Sequence, residues 1–531
     1  MTKKKNILIF IVIIILQLMV MLYYGLHKEG YLYDEIITFQ RASEMFADSS
    51  QRVDFEEQKD FYNKIYTSDD FIHNLTVNKG ESFFDQSFYE KYVDALFTKR
   101  TYNVLLNIIM SIGDGSANDW YSIGFNICLF IFTQLGIYCI AKQLGLSNQT
   151  TLIALIFYGF SVAGIKPVIY IRFYEFFLLL AMLFLAAGIW LYKKENVDFK
   201  WILMAFLTLI LTWFGYLNAE YMIVYAAAFS VAFVVVCLYR HQWIKMWSYI
   251  AVYACAGIGF LAYKWNGLKQ TYAVGGLFAQ SVDKFFKGNW IEFIKYVYFF
   301  IKDILQDGGV FILFLVISVL FLMNTDKSDM LRKIKEKINS SWFLVLLTAV
   351  IYILVVARVA PYEAWRYTSI MQPLVVLLFC VVLDGMLLKT NFKKFSSYAI
   401  VISQIIYLIF WGNSMGCLHG EARHDMKAIS NQILAGTQSV MFSSGDTGDL
   451  YYGAYIWPKN AEIYVTTVDL YVEETEEKAE ILQGNTIYAW VRNEETWNNE
   501  VNRLLQEDGY TSAQLVLDTG STRWLIYKCE R

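Results

Sequence analysis

Proline, histidine and charge are scarce in this chain. It has four prolines and five histidines among 531 residues, and only 18% of its residues are charged. Hydrophobic side chains make up 56%, aromatics 18%, and the mean hydropathy is +0.38. A soluble protein of this length cannot hide so much apolar surface, so most of the chain belongs in lipid. A net charge of −3 supplies no basic field for a nucleic acid. The seven cysteines contain no Cys-x-x-Cys pair and no Cys/His cluster. Cys128, Cys139, Cys237, Cys255 and Cys380 lie in or beside apolar runs and read as small packing residues. His27, His73, His241, His419 and His424 form no set with metal-ligand spacing and read as solvated surface residues. Internal repeats are absent too, which weighs against a transporter built from repeated halves.

What the chain does have is a series of long apolar runs. The first, Ile7 to Tyr24, is longer than a signal-peptide core and reads as a retained anchor and first transmembrane helix. Further runs near 121–141, 150–166, 171–192, 201–216, 219–238, 247–263, 309–323, 341–358, 367–387 and 396–412 bring the expectation to about eleven spans. Lys3, Lys4 and Lys5 place the N-terminus inside. The inner loops that follow hold Lys142; Lys193, Lys194 and Lys200; Arg240 and Lys245; Lys327, Arg332, Lys333, Lys335 and Lys337; and Lys389, Lys393 and Lys394. Each is basic or neutral, whereas 25–103 and 413–531 are acidic and fall outside. Cys417 and Cys529 then share the outer face, where a disulfide between them is allowed.

The expected architecture is an all-α polytopic membrane domain over 1–412, with a large outer loop at 25–120, followed by a small α/β extracytoplasmic domain over 413–531. The outer loop contains an amphipathic stretch, Phe83 to Phe97, and an apolar segment at 101–113 too short to span. The amphipathic stretch fits a helix lying in the membrane plane or a small folded cap, and 101–113 fits the start of the second span or a re-entrant or interfacial helix. A second outer loop, 264–308, is aromatic and partly basic, which an interfacial aromatic belt explains. Beyond Gly412, Ser439–Phe442, Ala461–Val465, Ala513–Leu517 and Trp524–Tyr527 read as strands, and Glu494–Gln506 as a helix. The turn Ser443–Asp449 contains glycines but lacks the lysine of a phosphate loop.

Three outer segments carry residues suited to chemistry. Asp34 and Glu35 emerge just beyond the first span, where a carboxylate can take a proton from an acceptor hydroxyl at the bilayer surface. Adjacent side chains point in different directions, so one works while the other orients it or binds a cation. The alternative is an acidic helix start, with Asp at the N-cap and Glu in the first turn. Lys166-Pro167-Val168-Ile169-Tyr170-Ile171-Arg172-Phe173-Tyr174 and Arg358-Val359-Ala360-Pro361-Tyr362-Glu363-Ala364-Trp365-Arg366-Tyr367 each offer arginine and tyrosine on the same face. Arginine suits a lipid phosphate because its planar fork pairs with two oxygens; snorkelling toward headgroups is the other reading.

These residues resemble the GT-C glycosyltransferase superfamily, in particular the bacterial family related to protein O-mannosyltransferases and lipid A aminoarabinose transferases. Tyr33-Asp34-Glu35-Ile36 stands where that family has an acidic residue or Asp-Glu pair after the first span. Arg172-Phe173-Tyr174 matches its Arg-x-Tyr element, and Arg366-Tyr367 with Pro373 its late Arg-Tyr pair. The resemblance implies a helical membrane domain with in-plane helices and a polyprenyl-phosphate sugar as donor. It maps the catalytic aspartate to Asp34 and the phosphate-binding arginines to Arg172 or Arg366. Many relatives also carry a His-Pro-Pro-like segment leading into the next membrane helix. Phe97-Thr98-Lys99-Arg100-Thr101-Tyr102-Asn103-Val104 has neither residue type. Either Lys99 and Arg100 take over substrate contact, or the acceptor differs, or activity is lost.

The function read from the sequence is transfer of a sugar from a polyprenyl-phosphate carrier to an extracytoplasmic glycan, lipid or protein acceptor at a bacterial plasma membrane. Asp34 acts as general base with Glu35 in support. Arg172, Arg366 and Lys166, with Tyr174 and Tyr367, bind substrate. No metal ligands are assigned, and a divalent cation stays an open requirement. The rivals are a cell-envelope polysaccharide polymerase or ligase, a lipid-linked sugar flippase, and an inactive scaffold.

Overall fold

The apolar runs fold as helices. The computed structural model describes residues 3–43, 61–68, 70, 75–77, 86–273, 277–307, 309–323, 327–386, 390–420, 422–444, 453, 455–520 and 524–531. Among the described residues, six helices are long and apolar enough to cross a bilayer: Ile7–Leu26, Asp119–Gln143, Tyr174–Lys193, Phe199–Asn218, Tyr221–Tyr239 and Ser340–Val359. Two helix pairs pass together but bend at a break, by 52° between Asn148–Gly159 and Val162–Ile169 and by 78° between Trp290–Asp307 and Val310–Leu322. Thr101–Ile112, Met371–Met386 and Tyr398–Ser414 are apolar but shorter. The described residues thus hold six candidate spans, or eight with each bent pair taken as one, beside the eleven or so read from hydropathy. Apolar content alone does not register a bend or a helix that ends early. The run read at 247–263 lies in Trp243–Ala273, a helix rich in Trp, Tyr and Lys.

The chain divides into two compact units. The first consists of Met1–Tyr23, Gly124–Ile169 and Phe173–Met415. Side-chain caps start some of its helices: Ser147, Asp198 and Asn339 accept from the backbone N–H of Thr150, Trp201 and Trp342. Aromatic pairs join the helices, with Phe184 edge-on to Phe229 at 5.3 Å and Tyr225 to Tyr352 at 5.9 Å between ring centroids. Asp384 gathers three segments, accepting from Thr150 Oγ1 at 2.6 Å and Ser147 N at 3.3 Å and pairing with Lys337 at 2.7 Å.

The second unit consists of Tyr24–Ile123, Tyr170–Arg172 and Gly416–Arg531. Its main feature is a six-stranded mixed sheet in the order 64–67, 462–466, 438–442, 486–491, 525–530, 512–518. The strands Glu462–Thr466, Gln438–Phe442 and Thr486–Val491 are parallel, and the remaining pairings are antiparallel. Alternate residues Val440 and Phe442, and Ile487, Ala489 and Val491, enter one core with Trp497, Val501, Leu505 and Tyr510. Trp497 stacks on Tyr527 at 3.8 Å. The four strands read from the sequence are present. Lys64–Thr67 and Thr486–Val491 are additions, the first an edge strand supplied by the loop after the first helix. That loop also holds the helices Gln86–Thr98 and Thr101–Ile112, packed through Tyr92, Ala95 and Val104. Phe83, His73 and positions 445–449 of the glycine-containing turn lie outside the described residues.

The allowed disulfide does not form: Cys417 and Cys529 are each buried and are not joined. Cys529 belongs to the strand Leu525–Glu530, opposite Ile487 and Ala513. A second, two-stranded pairing sets Gly30–Tyr31 against Ala422–Arg423. Gly420 precedes it, and a Cβ there would lie 2.1 Å from the carbonyl carbon of Gly30. Gly420→Val is therefore expected to destabilise the protein by about 1–3 kcal/mol, read as a lower melting temperature in detergent.

Candidate active site

The helix Tyr33–Ser43 begins with both carboxylates in its first turn, where they favour the positive end of the helix dipole. Their surroundings differ sharply. The Glu35 carboxylate accepts from the backbone N–H of Leu32 at 2.8 Å, a reach back over the helix start that fills one half of a capping box. It also accepts from the N–H of Ile171 at 2.8 Å and from Lys28 Nζ at 2.9 and 3.0 Å. Lys28 Nζ donates in addition to the Cys417 carbonyl at 2.7 Å. Both side chains of this pair are fully buried. Burial pushes the Glu35 carboxyl above its ordinary value, against the opposing pull of the Lys28 ammonium and the two amides. The helix-start role falls to Glu35.

Asp34 faces a different environment. Its side chain is 33% exposed and forms an ion pair with Nη1 of Arg172, whose side chain is 9% exposed. The Asp34 backbone carbonyl accepts from the same guanidinium at 3.4 Å, and the Tyr170 hydroxyl donates to its carboxylate at 3.4 Å. Tyr170, Ile171 and Arg172 form a tight turn in which the Arg172 N–H donates to the Tyr170 carbonyl at 2.7 Å. One three-residue segment therefore touches both acidic residues, Glu35 through its backbone and Asp34 through its side chains. The result is one buried carboxylate that fixes the helix and one accessible carboxylate beside an arginine.

Four of the other expected binding residues, Lys166, Tyr174, Arg366 and Tyr367, gather in the first unit. Lys166 pairs with Asp307 at 3.3 Å and lies 4.5 Å from the ring of Trp365. Trp365 packs edge-on to Tyr174 at 5.0 Å, and Arg366 donates to the Tyr174 hydroxyl at 3.4 Å. The Arg366 guanidinium also lies over the rings of Tyr362 and Tyr367 at 5.0 and 5.6 Å. Tyr367 is held in turn by the Tyr352 hydroxyl, which donates to its carbonyl at 2.9 Å. Lys166, Tyr174, Arg366 and Tyr367 thus form one neighbourhood of cations and aromatic hydroxyls. Lys99 is exposed and Arg100 half-buried at the turn into Thr101–Ile112.

Sequence reasoning missed two features. Lys28 stands in no motif, and its ammonium meets Glu35 seven residues on and the Cys417 carbonyl 389 residues away only in the folded chain. His424, read as a surface residue, sits between Asp119 Oδ2 at 3.2 Å and the Tyr455 hydroxyl at 2.7 Å. Its ring is edge-on to Tyr31, whose phenol is pushed well up by burial and by Asp119. His419 pairs with Glu29 at 3.1 Å. Among the described residues, no three His, Cys, Asp or Glu side chains converge as a metal-ligand set.

The chain thus combines a unit of apolar helices with a unit built on a mixed β-sheet, and an acidic pair follows its first apolar helix. Comparison with solved structures gives the particular likeness: ArnT from Cupriavidus metallidurans bound to undecaprenyl phosphate, with a TM-score of 0.54 and 11% identity over 97% of each chain. The apo state of the same protein gives 0.52 and 10%, over 98% of this chain and 97% of that one. At this identity the likeness is one of fold. No protein-family model and no curated protein matches the sequence.

The buried pair makes a distinct prediction. Glu35→Ala leaves the Lys28 ammonium uncompensated and is expected to cost about 3–5 kcal/mol. The double substitution Lys28→Met/Glu35→Leu is expected to lose less, since it removes both charges. Thermal melting of the three proteins in the same detergent measures the difference.

Proposed function

We propose that the protein is a membrane glycosyltransferase that moves a sugar from a polyprenyl-phosphate donor to an extracytoplasmic acceptor. The observation that carries this reading is the division of labour at residues 34 and 35. A partly exposed carboxylate beside an arginine stands on a helix start locked by a buried ion pair. In an inverting transfer the acceptor oxygen bonds to the anomeric carbon as the bond from that carbon to the phosphate oxygen breaks. Asp34 takes the acceptor's hydroxyl proton, and the polyprenyl phosphate leaves with the electron pair. Glu35 acts through position, holding the helix start that presents Asp34. The Tyr170 hydroxyl and Arg172 orient the Asp34 carboxylate.

Arg366 and Lys166 are assigned to the donor phosphate. Their positive charge stabilises the negative charge growing on the phosphate as the glycosidic bond breaks. Tyr174 and Trp365 hold them in place, and Tyr367 fixes the ring under Arg366. Lys99 and Arg100 are assigned to acceptor contact. The ArnT-like fold supports a lipid-linked donor, because the compared ArnT structure is bound to undecaprenyl phosphate. The basic inner loops and acidic outer segments support a multi-pass plasma-membrane protein with its N-terminus in the cytoplasm and its β-sheet unit outside.

The test uses purified protein in lipid vesicles, a labelled polyprenyl-phosphate sugar and cell-envelope acceptors. Asp34→Asn is expected to lower transfer about 10²–10⁴-fold, the range of general-base catalysis, while donor binding survives. Wild-type rates in the variant remove Asp34 from the mechanism. Movement of the donor across the bilayer without transfer identifies a flippase instead. Arg366→Ala is expected to weaken donor binding about ten- to hundredfold, as loss of a charge-assisted contact does; saturation curves in donor measure it.

A further inference from the structure

Five polar side chains meet inside the first unit, and the candidate site uses none of them. Gln17 comes from the helix Lys3–Leu26, Thr133 and Gln134 from Asp119–Gln143, Tyr158 from Asn148–Gly159, and Glu175 from Tyr174–Lys193. All five are fully buried. Thr133 Oγ1 lies 2.6 Å from Glu175 Oε1 and 3.2 Å from the Leu129 carbonyl one turn back. Gly159 lets two of the helices bring their amides together. A Cβ there would lie 2.1 Å from Gln17 Nε2 and 2.5 Å from Gln134 Nε2. Tyr158, the next residue back, is within electrostatic reach of Glu175.

The cluster does not satisfy itself. Gln17 Nε2 donates to the Leu155 carbonyl at 2.8 Å. Gln17 Oε1, both ends of the Gln134 amide, the Tyr158 hydroxyl and Glu175 Oε2 have no hydrogen-bond partner among the described residues. Unmet polar atoms are costly in any interior, and more so among apolar helices where bulk water cannot reach them. The unmet atoms are of both kinds. Gln134 Nε2 and the Tyr158 hydroxyl donate, whereas Gln17 Oε1, Gln134 Oε1 and Glu175 Oε2 accept. A metal cation satisfies acceptors alone; water satisfies both, and a buried water takes about two to four such partners.

Charge decides the state of Glu175. No lysine, arginine or histidine among the described residues pairs with it. A carboxylate buried without a counter-charge keeps its proton, because the neutral acid is far cheaper to bury. The Thr133 geometry agrees. A threonine hydroxyl has one proton; with that proton on the Leu129 carbonyl, the short bond to Glu175 is made by the proton of the carboxyl.

We propose that Gln17, Gln134, Tyr158 and Glu175 enclose an internal water site, in which Glu175 is a neutral acid that donates to Thr133 and exchanges its proton with that water. An ionisable group inside a bundle of apolar helices marks a functional position more often than a packing one. Here it places an exchangeable proton one residue from Tyr174, whose hydroxyl accepts from Arg366 in the candidate site. The proposal rests on the packing of the first unit alone, so it stands or falls apart from the proposed sugar transfer.

The test is infrared difference spectroscopy of the full-length protein in phosphatidylethanolamine/phosphatidylglycerol vesicles at neutral pH. Wild type minus Glu175→Gln is expected to show the carbonyl band of one protonated carboxyl. That band is expected to shift to lower wavenumber in heavy water, as its O–H becomes O–D. Carboxylate bands in its place mean an ionised Glu175 and overturn the proposal. An acid band unmoved after a night in heavy water means a dry, sealed cluster and overturns it too. Thr133→Val keeps the carboxyl and serves where Glu175→Gln fails to fold. It is expected to move the acid band without abolishing it, and a band at the wild-type position refutes the bond to Thr133 and with it the proposal.

Discussion

A lysine ammonium and a glutamate carboxylate, both sealed from water, bring together four stretches of chain in the second unit. Lys28 follows the first helix, Glu35 opens the next, Ile171 belongs to a turn far along the sequence, and Cys417 begins the C-terminal part of the unit. Burying two charges costs several kcal/mol per ion, and the penalty is met only when their remaining donors and acceptors are satisfied. Here Glu35 accepts from Leu32, Ile171 and Lys28, and Lys28 adds the Cys417 carbonyl. An arrangement so demanding admits little play, so it fixes the place from which Asp34 is presented.

That constraint explains how two adjacent carboxylates come to differ. Glu35 exhausts its capacity on structure, while Asp34 keeps a third of its side chain exposed beside Arg172 and Tyr170. The same economy recurs at Asp384, which spends its carboxylate on Ser147, Thr150 and Lys337. Glu35 and Asp384, both buried, hold segments together, whereas Asp34 stays accessible. The membrane-facing helices follow a simpler logic: apolar faces to lipid, aromatic edges between helices, and a polar cap at the first turn.

How much of this was legible in the residues varies with range. The helical runs and four of the six strands of the main sheet were readable because each is a local pattern of apolar spacing. Bends were not: the run at 150–166 breaks between Gly159 and Val162, and hydropathy counts both halves as one. Lys64–Thr67 escaped notice because four residues of strand have meaning only beside Glu462–Thr466. Asp34, Arg172, Arg366 and Lys166 were chosen as candidates from their place at the ends of apolar runs. The roles of Lys28 and His424 were not legible, since neither stands in a motif: Lys28 pairs with Glu35 only seven residues on but is sealed by the remote Cys417 carbonyl, and His424 meets Asp119, 305 residues away.

The sequence alone determined that this is a membrane protein, where most of its helices run, and that an acidic pair follows the first span. Those are consequences of composition and of periods of two and 3.6 residues, which need no knowledge of distant contacts. Tertiary structure alone decided which of the two carboxylates is buried, that a turn at 170–172 would meet both, and that Cys417 would lend its carbonyl to a lysine instead of its sulfur to Cys529. Burial and charge compensation are properties of what surrounds a group in space, and here the surroundings arrive from remote parts of the chain.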